Sequence, residues 1–134
     1  MKRIYLYISF LLASLAISGT ALAQKDDIRA IKVSMITDMM NLTAAQSTQF
    51  WPVYNRYEGE MRVVYHSRKD LTKQQGMKAE EIIDERQQLD QREVSIKARY
   101  KNEFLKVVSA QQLLQMYQAE AKFKQILMDR MKNK

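Results

Sequence analysis

The one imidazole in this 134-residue chain is His66, with Ser67 beside it and Asp70 a helical turn further on. Taken as types, these three make a charge-relay nucleophile. Their spacing works against it. Adjacent residues on a helix leave the axis about 100° apart, so the hydroxyl cannot converge on the imidazole. The trio reads as helix surface. Glu80, Glu81, Asp84 and Glu85 could be drawn as paired carboxylates or as half of a di-metal site. Bundle sites of that kind take Glu-x-x-His from two helices, and one His cannot supply both. The four acids read as a solvated helix start, where the positive end of the helix dipole favours them. With no Cys, thiolate zinc, Fe–S clusters, disulfides and cysteine nucleophiles are excluded. Three Gly leave no Gly-rich phosphate loop. These residues point to no catalytic group, no cofactor and no small-molecule substrate.

Methionine and the aromatic residues carry more. Past residue 23 lie Met35, Met39, Met40, Met61, Met77, Met116, Met128 and Met131. Met35/Met39 and Met128/Met131 stand at helical-neighbour spacing. Thioethers bind Cu(I), give an adaptable surface for varied apolar partners, or simply fill a core. Phe50, Trp51, Tyr54 and Tyr57 are the densest aromatic set. They serve either as the core or, through Trp51 and Tyr54, as anchors for a protein. Met35, Met39, Met128, Met131, Trp51 and Tyr54 are therefore the candidate partner-binding residues, with core packing as the plain alternative.

The elements that position these residues begin behind an export signal. Lys2 and Arg3 precede an uncharged apolar run, and Ala21-Leu22-Ala23 is a small-x-small end before Gln24. Residues 1–23 read as a cleaved secretory signal peptide and 24–134 as a single helical domain. Export changes the meaning of the basic charge. The formal net charge of +7 would suggest nucleic acid in the cytosol. Outside it, anionic lipid, an acidic protein surface or an unfolded client remain, with a solvated helical surface as the plain alternative.

The expected fold is all-α: four helices in two helical hairpins, with capped breaks near Thr43 and Ser109. The first helix is expected over 26–40, with Asp26 and Asp27 in its first turn. Thr43 and Gln46 form a capping box that opens the second helix. Phe50, Tyr54, Tyr57, Met61, Val64 and Leu71 share one face of that helix. Pro52, well inside it, removes one backbone hydrogen bond and should bend it. Gly59 either admits a close helix approach or is a weak spot. Gln75-Gly76-Met77 is a short loop that makes helices two and three antiparallel neighbours. The third helix starts near 79, with Ile82, Leu89, Ile96, Tyr100, Phe104 and Val107 in a stripe and a polar middle over 87–92. That middle is either solvated or held against another chain. Ser109 and Gln112 repeat the capping box, Val108 can staple onto Leu113, and the fourth helix runs to about 131. The break of the first half has no such staple.

Leu42-Thr43-Ala44-Ala45-Gln46 resembles the L-T-x-x-Q motif of the Spy/CpxP family of small periplasmic helical proteins. Val108-Ser109-Ala110-Gln111-Gln112 resembles a second copy, with Val for Leu and Ser for Thr. The stretch from Ile31 to Thr43, followed by Phe50-Trp51-Pro52-Val53-Tyr54, is similar to small exported proteins described as sensors of ECF-type sigma factors. The resemblance implies a cradle-like four-helix fold in the periplasm, a role in envelope stress, and a protein partner. That partner is an unfolded client held without ATP or a membrane signalling protein held in check. The resemblance also implies a homodimer, often an antiparallel one. The His-rich nickel or cobalt site of certain relatives does not carry over to a chain whose one imidazole is His66. The expected function is thus a non-enzymatic stress sensor or chaperone. The alternatives are a Met-based copper buffer and a structural helical oligomer without a client.

Overall fold

Among the described residues, two with left-handed backbone punctuate the chain, one directly after a helix and one in a turn. Asn41 (φ 47°) follows the first helix and Gly76 (φ 95°) lies in the central turn. Asn is among the few residues with a Cβ that tolerate this region, and Gly has no Cβ to clash. The computed structural model describes residues 17–133. It contains four helices and, among the described residues, no strand: α1 (Ile17–Met40), α2 (Ala44–Leu71), α3 (Ala79–Phe104) and α4 (Ala110–Lys132). No described helix is long and apolar enough to cross a membrane.

The signal-peptide assignment lies mostly outside the described residues. Where it is described, α1 starts at Ile17 rather than near residue 26. The Ala-Leu-Ala stretch is made of good helix formers, so in the unprocessed chain the helix continues through it. Asp26 and Asp27 consequently sit within α1 and not in its first turn, where there is no acid. The other boundaries fall within two residues of the expectation except the end of α3, which stops at Phe104 and leaves Val107, the last residue of the expected stripe, in the turn that follows.

The described residues form two compact units. One is 40–115; the other joins the chain up to 39 with the chain from 116 onward. In the unit 40–115, α2 and α3 are antiparallel. Arg56 pairs with Glu103, Glu60 with Arg99, and Arg68 with Asp90 and Glu93, so each advance along α2 is matched by a retreat along α3. The buried residues of α2 are Phe50, Tyr54, Tyr57, Met61, Val64 and Leu71, the stripe read from its spacing. They meet Ile96, Tyr100 and Phe104 of α3 across one apolar seam, and Met40, Val108 and Leu113 extend the core at the capped end. Phe50, Tyr57, Tyr100 and Phe104 form a ring cluster with centroid separations of 5.6 to 6.3 Å. Pairs of this kind add about 0.5–1.5 kcal/mol each beyond area burial.

α2 runs through Pro52 without a break and reaches Leu71. The ring leaves the Thr48 carbonyl without its helical donor, at an exposed position where water can serve it. Gly59 is no point of close approach, since a Cβ built there meets nothing within 4 Å. In the second unit α1 and α4 meet: the Lys32 ammonium lies 5.8 Å from the centroid of the Phe123 ring. Among the described residues, Ile36, Met116 and Ala119 are its buried apolar ones.

Candidate functional site

Each motif begins as a helix cap. Thr43 Oγ1 accepts from the Gln46 N–H at 3.1 Å, and Gln46 Oε1 accepts from the Thr43 N–H at 3.2 Å. At the second corner, Ser109 Oγ accepts from the Gln112 N–H at 3.1 Å and Gln112 Oε1 accepts from the Ser109 N–H at 3.0 Å. Both capping boxes are complete, and each satisfies two backbone donors that a helix start leaves open. The start of α3 has only half of one: Glu81 accepts from the Lys78 N–H at 3.3 Å, and a Lys side chain has no acceptor to return.

The two glutamines do more than cap. Gln46 Nε2 donates to Gln112 Oε1 at 3.0 Å, and Gln112 Nε2 donates to Gln46 Oε1 at 3.0 Å. The amides face each other head to tail across 66 positions of sequence. Gln112 Nε2 also donates to the Met40 carbonyl at 3.2 Å, satisfying one of the open carbonyls at the end of α1. Each amide oxygen thereby accepts twice, once from its own cap and once from the other corner. The pair is part-buried, where amide groups are costly to leave without partners, and no buried side-chain nitrogen or oxygen among the described residues lacks one. The caps follow from the spacing of Thr43 with Gln46 and Ser109 with Gln112. The bond between corners does not, although Gln at the same place in both motifs was its available signal.

The other singled-out residues lie elsewhere. Tyr54 is in the core at 2% exposure and is unavailable as an anchor; only Trp51, half-buried, shows an edge to solvent. Trp51 packs edge-on against Phe50 and Tyr54 at 5.0 and 5.5 Å. Met35 and Met39 line one groove of α1 with Ala30, Ile31, Ser34 and Asp38, joined by Lys122 of α4. Its volume is about 530 Å³. Met128 and Met131 are exposed on α4, Met131 at 72%. The structure does not unite His66, Ser67 and Asp70. Ser67 and Asp70 border a polar niche near the α2–α3 turn, and exposed His66 does not. Among the described residues no three acids or imidazoles come together as metal ligands would.

Charge is organised along the α2–α3 seam. Glu60 accepts from the Tyr100 hydroxyl at 2.8 Å and from Arg99, and these bonds, Tyr100 first, hold its carboxyl below the usual range. Burial pushes the Glu93 carboxyl up, but bonds from Lys97 and Arg68, each at 2.6 Å, outweigh it and leave it lowered. Burial first, and Glu60 next, raise the Tyr100 hydroxyl. No protein-family profile, curated protein or solved structure matches this chain.

Proposed function

We propose that the protein is a non-enzymatic, exported envelope-stress factor of the Spy/CpxP kind that works by binding other proteins. It serves either as a sensor feeding a sigma-factor pathway or as an ATP-independent chaperone. The observation that carries the reading is the head-to-tail bond between Gln46 and Gln112. One five-residue motif is a helix cap that any sequence can arrive at. Two such motifs whose glutamines grip each other make one device, which supports reading them as a repeated family signature.

The chemistry of the surface fits a protein partner. The Met35–Met39 groove offers flexible, polarizable contact, and Lys122 at its border steers acidic segments. The same pair of thioethers favours a copper reading. Asp38 and Lys122 both border that groove, so its charge does not favour a cation, and protein binding ranks ahead on the paired glutamine corners. The test is suppression of aggregation of a denatured substrate at substoichiometric to equimolar ratios. Absence of suppression at every salt concentration removes the chaperone form. Crosslinking from envelope extracts that captures no defined membrane protein removes the sensor form. Failure of both overturns the proposal. Cu(I) binding tighter than micromolar, abolished by Met35→Leu with Met39→Leu, would put the copper reading in its place.

A further inference from the structure

One side of the α2–α3 seam keeps a strict register. Arg56 pairs with Glu103, and one turn further along α2 Glu60 pairs with Arg99, one turn back along α3. Two more turns on each helix, seven residues and about 20° short of a full repeat, bring Ser67 opposite Arg92. A further two bring Gln74 opposite Glu85. The facing charges end there: each of these last rungs keeps its charge on α3 and has a neutral group on α2. Among the described residues neither Arg92 nor Glu85 makes an ion pair or a side-chain hydrogen bond. Ser67, Gln74, Glu85 and Arg92 all border one niche of about 550 Å³.

The niche has an apolar floor and two charged ends. Leu71, Leu89 and Met77 supply the floor, and Leu71 belongs to the core of the hairpin. Arg92 marks one end and Glu85 the other, about 10 Å apart along the axis of α3. Gln74 and Gln88 contribute amides that both donate and accept. Asp70 also borders the niche, with Lys73 at 3.9 Å as its partner. A ligand of one charge satisfies one end and is repelled by the other, so the arrangement calls for a zwitterion of matching length.

We propose that this niche binds a short peptide with free ends, about three residues long, its terminal carboxylate on Arg92 and its terminal ammonium on Glu85. An extended chain advances about 3.3–3.6 Å per residue, so three residues span the interval between the two charges. A guanidinium holds a carboxylate through two parallel hydrogen bonds, which makes Arg92 the stronger anchor. An apolar central side chain meets Leu71 and Leu89, and the peptide's own N–H and C=O groups find the glutamine amides. The niche volume suits a ligand of this size. A long unfolded chain does not bring both its ends into one niche, so this capacity is separate from holding a client. The argument does not rest on the proposed function and its outcome leaves that reading untouched.

The probe is the tripeptide Gly-Leu-Gly, titrated into isotope-labelled protein and read by nuclear magnetic resonance. Backbone amide signals within 67–92 should shift with a Kd of about 1 mM or tighter, and added salt should weaken binding. Amidating the peptide's C-terminus and making Arg92→Gln should each weaken binding roughly tenfold. The two changes together should cost little more than either, because both remove the same contact. N-terminal acetylation and Glu85→Gln should behave as a second such couple. Arg92 and Glu85 are exposed, so both variants should keep native helical circular dichroism. No shift within 67–92 at saturating peptide, or equal binding of a peptide blocked at both ends, would overturn the site. Losses from amidation and Arg92→Gln that add in full would overturn the placing of the carboxylate on Arg92.

Discussion

Gln112 makes one bond more than Gln46. Both cap a helix and both hold the opposite amide, but only Gln112 also serves the Met40 carbonyl. A neutral hydrogen bond contributes about 0.5–1.5 kcal/mol net, and a buried group left unpaired costs about 1–3. Gln112→Ala should therefore destabilise more than Gln46→Ala, about 2–3 against about 1–2 kcal/mol. The double variant should fall short of their sum by about 0.5–2 kcal/mol, because the first change already breaks the shared bonds. Urea midpoints of the four proteins measure this; equal single effects that add fully would show that the corners act separately. The glycines supply a second contrast. Gly59 is helical with open space around its absent Cβ, so Gly59→Ala should stabilise by about 1 kcal/mol. Gly76 also has open space, yet its φ of 95° is one that L side chains rarely adopt. Gly76→Ala should destabilise by about 1–2 kcal/mol. Opposite shifts in melting temperature are the expected outcome.

At the scale of the element, the α2–α3 hairpin is an arm with a single seam. Beyond Tyr57 and Tyr100, Met61, Val64, Leu71 and Ile96 are its buried apolar residues, and ion pairs flank them. Such pairs add little one at a time when exposed, but here they give the arm a defined response to acid. The Glu60 and Glu93 carboxyls are held below their ordinary range in the folded chain. A lowered carboxyl stabilises the fold above its unfolded-state value, about 4.3, and that contribution disappears as pH falls through the folded-state value. Stability should thus be level from neutral pH down to about 5 and drop below about 4. Arg68→Ala should shrink the drop, since it removes one of the groups that lower Glu93. Raised Tyr100 works at the other end: its contribution is present below about 10 and is lost as the hydroxyl ionises. Chemical denaturation across the pH range tests both limbs. An acid limb unchanged by Arg68→Ala would disprove the assignment to this seam.

Across the whole molecule, the features written in local spacing were legible. The buried face of α2 follows from Phe50 to Leu71 at turns of three and four, and both caps follow from a hydroxyl three residues ahead of a glutamine. What spacing cannot encode is which group lies opposite. Tyr54 belongs to the same stripe whether it meets Phe50 in a core or a partner in solution, and only burial separates the two. The Gln46–Gln112 bond joins residues 66 positions apart and has no local signature. The start of α1 was missed because helix-forming Ala and Leu continue through a stretch that reads as a processing site.

The division into two units has its own consequence. The unit 40–115 holds Met40, the α2 stripe, Ile96, Tyr100, Phe104, Val108 and Leu113, whereas Ile36, Met116 and Ala119 are the buried apolar residues described in the other. Apolar burial dominates stability, so the smaller core should open first. Trp51, the one Trp, packs against Phe50 and Tyr54 and reports on the larger core alone. In urea, far-ultraviolet circular dichroism should begin to fall before Trp51 fluorescence changes, a departure from two-state behaviour. Phe104→Ala deletes a ring that touches Phe50, Tyr57 and Tyr100 and should cost about 3–5 kcal/mol. It should bring the fluorescence transition toward the earlier one and leave the first loss of helix where it was. Coincident transitions in the native protein would mean that the two cores fold as one.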